Sequence, residues 1–370
     1  MDFFKKLFGG FSAPSAIGGL DIGTSSIKMV ELSKTNTGYK MERYTEGPTP
    51  AMTLKDGLVT DPGALADALK DLLANSQMTM DKAVGAVTGR SVVIRPIMMT
   101  QMKRHEMQNA IRFEAERYLP YSVSEAVVRG SVLRPEVEGE ESMMEVLLVA
   151  APNEMVNGIQ DVISLSGITP KYIDLEPSAL SRAIMANLSD EVKKQTISLI
   201  NLGASFSSIN IFKDGLLRHN RSISIAGNSF TKAIGQSLNL SFEEAEKLKK
   251  EKGIIRVEKD ATPVAPTTMR IFNVILPVLN DLMTEIQRSF DYYRSRYSGE
   301  SVDFVVISGG TSKFKNIDEY MANELGIPCG LANPLVNIDI TDVPGYTPEE
   351  LQEKAPTMMA VLGLALWQFE

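Results

Sequence analysis

A chain of 370 residues with 44% apolar and 23% charged side chains has the composition of a soluble globular protein and the length of two or more domains. Its net charge of −8 excludes a general nucleic-acid binder, which carries a basic domain. The lone Cys329 excludes a disulfide framework and fits a reducing compartment. His105 and His219 stand too far apart for zinc-ligand spacing, and no run approaches the ~20 apolar residues of a membrane span.

Residues 1–11 place Phe3, Phe4, Leu7, Phe8 and Phe11 on one helical face, with Lys5 and Lys6 off it. Such a segment suits an anionic membrane surface or a partner. It is too short to be a stable isolated helix, and a frayed tail is the alternative. Its apolar run is also too short for a secretion signal. Ser12 to Ser15, with Pro14, reads as a linker.

From Gly18 to Leu32 the pattern is strand, turn, strand. Gly23, Thr24, Ser25 and Ser26 form the turn. A turn of small residues gathers backbone N–H groups into a concavity for an anion, and the hydroxyls add donors. Asp21 precedes the turn, where a carboxylate suits a hydrated Mg²⁺. An ordinary hairpin is the competing reading. Further strands are expected near Tyr39–Tyr44, Ala83–Val87 and Val92–Ile97, with an amphipathic helix through Leu65, Leu69 and Leu72.

Residues 95–172 read as a small inserted α+β unit. Helices are expected over Arg104–Tyr118 and Glu154–Leu165. Strands are expected over Val127–Leu133 and Met143–Ala151, around an acidic turn from Glu136 to Glu141. Met98, Met99, Met102, Met107, Met143 and Met144 concentrate there. They suit core filling, or a groove that accommodates a peptide.

After a strand and helix around Tyr172–Leu180, the opening pattern returns. Ile197 to Ile211 is again strand, polar residue, turn and strand, with Asn201 in the place of Asp21 and Gly203, Ala204 and Ser205 as the turn. Two such hairpins suggest a duplicated fold with a ligand clamped between the halves. A strand over Leu216–Ile225 follows, with Arg218 to Arg221 expected on its surface. Ser241 and Glu244 form a capping box for a helix carrying Glu246 and Lys249 on one face. The longest helix spans about Met269–Tyr297, with a stripe of Ile271, Ile275, Val278, Leu282, Ile286, Phe290 and Tyr293, and Pro277 expected to kink it. A strand over Val302–Ile307 runs into Gly309, Gly310 and Thr311, then a helix over Ile317–Leu325. Ala360–Trp367 forms a last apolar helix.

The set Asp21 to Ser26, Asn201 to Ser205, Ala245 to Lys249 and Ser308 to Thr311 resembles the phosphate and nucleoside motifs of the actin-like ATPase superfamily. The resemblance implies an α/β, ribonuclease H-like duplicated nucleotide-binding fold. Its expected parts are a first subdomain (17–94 and 173–195), the insertion (95–172), a second subdomain (196–226 and 299–370) and a helical subdomain against the nucleoside (227–298). It implies ATP and Mg²⁺ as cofactors. Gly23 to Ser26, Lys28 and Gly203 to Ser205 would meet the phosphates. Glu246, Lys249 and Gly309 to Thr311 would meet the nucleoside. Asp21 would hold the metal through water, with Asn201 beside it, and Glu176, from Glu176-Pro177-Ser178-Ala179, would direct the attacking water.

The insertion is similar to the one shared by the FtsA and PilM families, and the sequence looks like the PilM family from about Ile17 to Leu366. That likeness implies an ATP-binding cytoplasmic scaffold of the type IV pilus platform, peripheral to the inner membrane. Its implied partners are the cytoplasmic N-terminal peptide of PilN, docked between the first subdomain and the insertion, the platform and the motor ATPases. An FtsA-like filament protein and a small-molecule kinase are the alternatives. The lack of a basic amphipathic helix after Trp367 argues against the first; the lack of a carbohydrate-binding set argues against the second. Asn201 replaces an acid of the second motif, so hydrolysis is expected to be slow or absent.

Overall fold

The computed structural model describes residues 16–137, 142–257 and 265–370. The aromatic segment 1–11, its linker, and parts of the acidic turn and of the proline-containing loop near 253–268 lie outside these ranges.

Two sheets with the same strand order dominate. In the first, Ile17–Ile22 pairs antiparallel with Ser26–Lys34, which pairs with Tyr39–Pro48; on the other side Ile17–Ile22 runs parallel to Lys82–Val87, and that strand to Thr169–Leu175. In the second, Thr196–Leu202 pairs with Ser207–Lys213 and that with Leu216–Ile223; the parallel neighbours are Phe304–Ser308 and then Cys329–Leu331. Each sheet is therefore a three-stranded meander extended by two parallel strands. The register puts Asp21 opposite Lys28 and Asn201 opposite Ser208.

Burial explains the elements. In the first sheet Leu20, Ile27 and Met29 pack with Leu65 and Leu69 of the helix Pro62–Asn75. Asp61 caps that helix, accepting from Ala64 N at 2.9 Å, and a proline fits its first turn. In the second sheet Ile200, Leu202, Ile209 and Ile211 pack against the helices Gly227–Leu238 and Pro266–Arg296. The long helix runs as one element through Pro277, which is exposed, and its buried stripe contains Leu279 where the sequence suggested Val278.

The division of the chain differs from the sequence reading in two places. The inserted sheet comprises Val93–Thr100, Met143–Pro152 and Ala126–Arg134, in that order, under the helix Arg104–Ala115. Met99, Met107 and Met144 lie in its core, whereas Met98 is exposed. The helix Asn153–Leu165 is not part of this unit. Its Met155, Ile159, Val162 and Ile163 complete the core of the first sheet. Periodicity reveals a helix's apolar face without revealing what it meets.

The second difference concerns the C-terminal stretch, assigned from sequence to the second subdomain. Ile338–Asp339 adds an edge strand to the first sheet, parallel to Tyr39 and Lys40. The helix Met359–Leu366, apolar all round, lies between that sheet and the helix Glu176–Met185. A helix without a polar face is stable only when covered on several sides.

Arg218 and His219 also depart from the expected surface stretch. The inserted sheet packs over Leu216–Ile223, so the Arg218 side chain is only 2% exposed and its Nη1 donates to Glu145 Oε2 at 2.7 Å. His219 is mostly buried beside Tyr292.

Candidate functional site

The turns of the two hairpins face a single cavity of about 720 Å³. Asp21, Gly23, Thr24, Ser25, Ser26 and Lys28 line one wall, and Asn201, Gly203, Ala204 and Ser205 the wall opposite. Glu246 and Lys249 come from the helix Phe242–Lys252, and Gly309, Gly310 and Thr311 from the loop after Phe304–Ser308; Glu176 lies between the halves. The structure thus brings Asp21, Gly23 to Ser26, Lys28, Glu176, Asn201, Gly203 to Ser205, Glu246, Lys249 and Gly309 to Thr311 to one cleft.

The first turn closes through Gly23 N donating to Ser26 O at 3.0 Å. Lys28 Nζ donates to Ser26 Oγ at 2.8 Å and lies 3.6 Å from Asp21 Oδ2, which sets a cation and a carboxylate side by side at the turn. A Cβ built on Gly23 would meet one atom within 4 Å, Ser26 O at 3.1 Å, so the space before it belongs to the cavity. The second turn is braced from two elements. Gly203 O accepts from Gly227 N at 2.9 Å and from Thr311 Oγ1 at 3.0 Å, and Ala204 O accepts from Asn228 N at 2.8 Å. Gly309 has φ +90°, and a Cβ there would fall 2.4 Å from Leu202 O and 2.6 Å from Asn201 Oδ1. Only glycine lets this loop lie so close to the second hairpin.

Glu176 opens the helix Glu176–Met185, with Pro177 in the first turn. It is buried and accepts hydrogen bonds from Thr88 Oγ1 and Asn201 Nδ2, and from Ser208 Oγ at 3.4 Å. Asn201 Oδ1 accepts in turn from Ser308 Oγ at 3.3 Å. The amide therefore ties the acid of the first half to the floor of the second. Burial pushes the Glu176 carboxyl above its usual range and the Asp21 charge adds to this, against the three hydrogen bonds.

A raised carboxyl holds more protons when folded than unfolded, so its contribution is fully present below the unfolded value, ~4.3, and is lost as pH rises through the folded one. Urea titrations of the wild type and Glu176→Gln from pH 4 to 8 are expected to show the wild type losing ground relative to the variant as pH rises. A difference constant across that range would contradict the buried position.

At the outer end Lys249 Nζ lies 2.6 Å from Glu246 Oε2 and donates to Thr231 Oγ1 at 2.8 Å and Gly227 O at 3.1 Å. Thr231 Oγ1 donates to Glu246 Oε2 at 2.5 Å. Burial favours neutral Glu246, yet bonds from Lys249 and Thr231 hold its carboxyl below the ordinary range. Burial pushes Lys249 down. The two residues that share a helix face by their spacing form an ion pair built into the wall.

Several wall residues were missed. Lys313 follows the glycine loop and is held low by burial and by Lys354. Glu46 pairs with Lys354 and accepts from Tyr44 Oη at 2.9 Å. Thr88 follows the strand Lys82–Val87, between Val87 and Gly89, where the sequence matches none of the motifs singled out above. Only Lys313, two residues beyond Thr311, had a signal in its position. Among the described residues no group of three acidic, His or Cys side chains forms a metal cluster, and no helix is long and apolar enough to cross a membrane.

Comparison with known proteins places this architecture. A solved PilM-PilN type IV pilus biogenesis complex contains a chain 30% identical, superposing with a TM-score of 0.85 over 96% of this chain and 98% of that one. The cell division protein FtsA of Neisseria meningitidis serogroup B is 20% identical over 85% of this chain and 83% of its own. MreB5 of Spiroplasma citri, solved with ADP, shares the fold at 14% identity and a TM-score of 0.54, over 96% and 97% of the two chains. The duplicated sheets are thus the actin-like fold. The family model for the type IV pilus assembly protein PilM matches residues 19–369, and the chain belongs to that family.

Proposed function

We propose that the cleft binds Mg-ATP and that the chain is a cytoplasmic scaffold of the pilus assembly platform, peripheral to the inner membrane, holding the cytoplasmic N-terminal peptide of PilN. The observation that carries the nucleotide reading is the facing pair of glycine turns across one cavity. The open space before Gly23 suits a phosphate approaching backbone N–H groups, and Lys28 supplies charge beside it. Lys313 extends the positive wall. Glu246 and Lys249, in the wall of the same cavity, offer an acceptor and a donor to a nucleoside. Asp21 is the one carboxylate at the turn, which fits Mg²⁺ held mostly by water and phosphates. The metal would supply charge neutralisation of the phosphates. The PilN reading is supported by the 30% identical chain of the PilM-PilN complex, and we assign the peptide to the junction of the first subdomain and the insertion.

Hydrolysis is expected to be slow. Asn201 is neutral and occupies the Glu176 carboxylate, leaving it poorly disposed to orient water. Turnover below ~1 s⁻¹, the low end of ordinary enzymes, is the expected result of a phosphate-release assay, with ATP binding retained by calorimetry. Anisotropy titration of a labelled synthetic PilN N-terminal peptide tests the scaffold reading. Saturable binding, altered by Mg-ATP through linkage, is expected; no binding in either nucleotide state would overturn it, independently of the calorimetry.

A further inference from the structure

A second cleft, about 330 Å³, separates the inserted sheet from the second sheet. This is within the lower range of ligand sites, ~300–1,000 Å³. It shares no lining residue with the nucleotide cleft. We infer that it is a docking site for an extended acidic peptide segment of a partner protein.

Three observations converge. The first is charge. Arg90, Arg95, Arg218, Arg221 and Arg296 line the cleft and no Asp or Glu does, in a chain of net charge −8. Glu145 and Glu285 pair Arg218 and Arg221 from behind. Arg95 stacks over Tyr118 at 4.3 Å, and neither Arg90 nor Arg296, both exposed, has a carboxylate partner among the described residues.

The second is an unmet donor. Arg218 Nη2 is buried and has no hydrogen-bond partner among the described residues, although Nη1 of the same guanidinium is bonded. His219 Nε2, next in sequence, is buried and unpartnered as well. A buried donor left unmade costs ~1–3 kcal/mol, and an entering carboxylate satisfies it with a charge-assisted bond. The imidazole is neutral, since burial and then Arg221 push it down to about 4.

The third is backbone. Val93–Thr100 is the outer strand of the inserted sheet and Leu216–Ile223 the outer strand of the second sheet, and both reach this cleft. Outer strands offer main-chain donors and acceptors to an extended segment, which a small anion does not use. An acidic peptide also meets repulsion over most of the remaining surface, so the basic cleft is selective.

The test uses the intact protein and fluorescein-labelled hexaglutamate, with hexaglutamine and inorganic phosphate as comparators. Saturable hexaglutamate binding that weakens with salt is expected. Hexaglutamine, and the Arg90→Glu/Arg296→Glu variant with hexaglutamate, are each expected at least tenfold weaker. Unchanged ATP affinity in that variant reports an intact fold, because neither arginine lines the nucleotide cleft. Absence of hexaglutamate binding, equal binding by the variant, or equal binding of hexaglutamine would overturn the proposal. Displacement of the peptide by phosphate at equal total charge would instead identify a small-anion site, and would overturn it too.

Discussion

Gly363→Ala is expected to destabilise the protein by more than the ~1–3 kcal/mol usual for overpacking. A Cβ at Gly363 would lie 1.8 Å from the carbonyl oxygen of Ala179 and 2.4 Å from its carbon. The obstacle is helix backbone rather than a flexible side-chain end, so relief requires moving the helix Met359–Leu366 off the helix Glu176–Met185. That helix also rests on the first strand, where a Cβ at Gly19 would fall 2.3 Å from Val361 O. Denaturant unfolding and soluble yield measure the effect. Gly310→Ala is the control, since a Cβ there meets nothing within 4 Å, and it is expected to stay within ~0.5 kcal/mol of wild type. Wild-type stability in Gly363→Ala would refute the packing described.

Gly23→Val is expected to weaken ATP binding at least ~100-fold, or ~2.7 kcal/mol, while leaving the fold in place. The single close atom around a Cβ at Gly23 is Ser26 O at 3.1 Å, so the valine side chain extends into the cavity rather than into the protein. The two glycine substitutions therefore separate: one moves the unfolding midpoint, the other the nucleotide dissociation constant. Calorimetry showing unchanged ATP affinity in a folded Gly23→Val protein would remove the phosphate assignment of that turn.

The turns were legible because they are local. Asp21 to Ser26 and Asn201 to Ser205 each declare a strand, a polar residue and a tight turn within a few positions, and the repetition announces the duplication. The capping box at Ser241 and Glu244 was legible for the same reason; in the structure Glu244 N donates to Ser241 Oγ at 3.3 Å. What escaped depends on approach in space. Asn201 was read as a metal-side residue facing Asp21, whereas its amide is spent on Glu176, 25 positions away. Arg218 lies on a strand whose sequence is polar on both faces, so nothing local distinguishes the face that the inserted sheet covers. Thr88 and Glu46 reach the cleft only because the strands that carry them, with two strands between them, terminate at the same end of the first sheet.

The placement of residues 338–366 bears on how this protein is made. The first sheet contains the earliest described strand, yet its outer strand at Ile338–Asp339 and its covering helix come from the far end of the chain. Gln368 Nε2 donates to Ile17 O at 3.1 Å across 351 positions. During synthesis the N-terminal half emerges first and waits with an apolar floor bare and a strand edge unpaired, the state in which nascent domains aggregate or engage chaperones. Contacts of such sequence separation close late and slow the overall reaction. A chain translated past residue 205 but not as far as residue 338 therefore carries both glycine turns while the edge strand and covering helix of the first sheet are still missing.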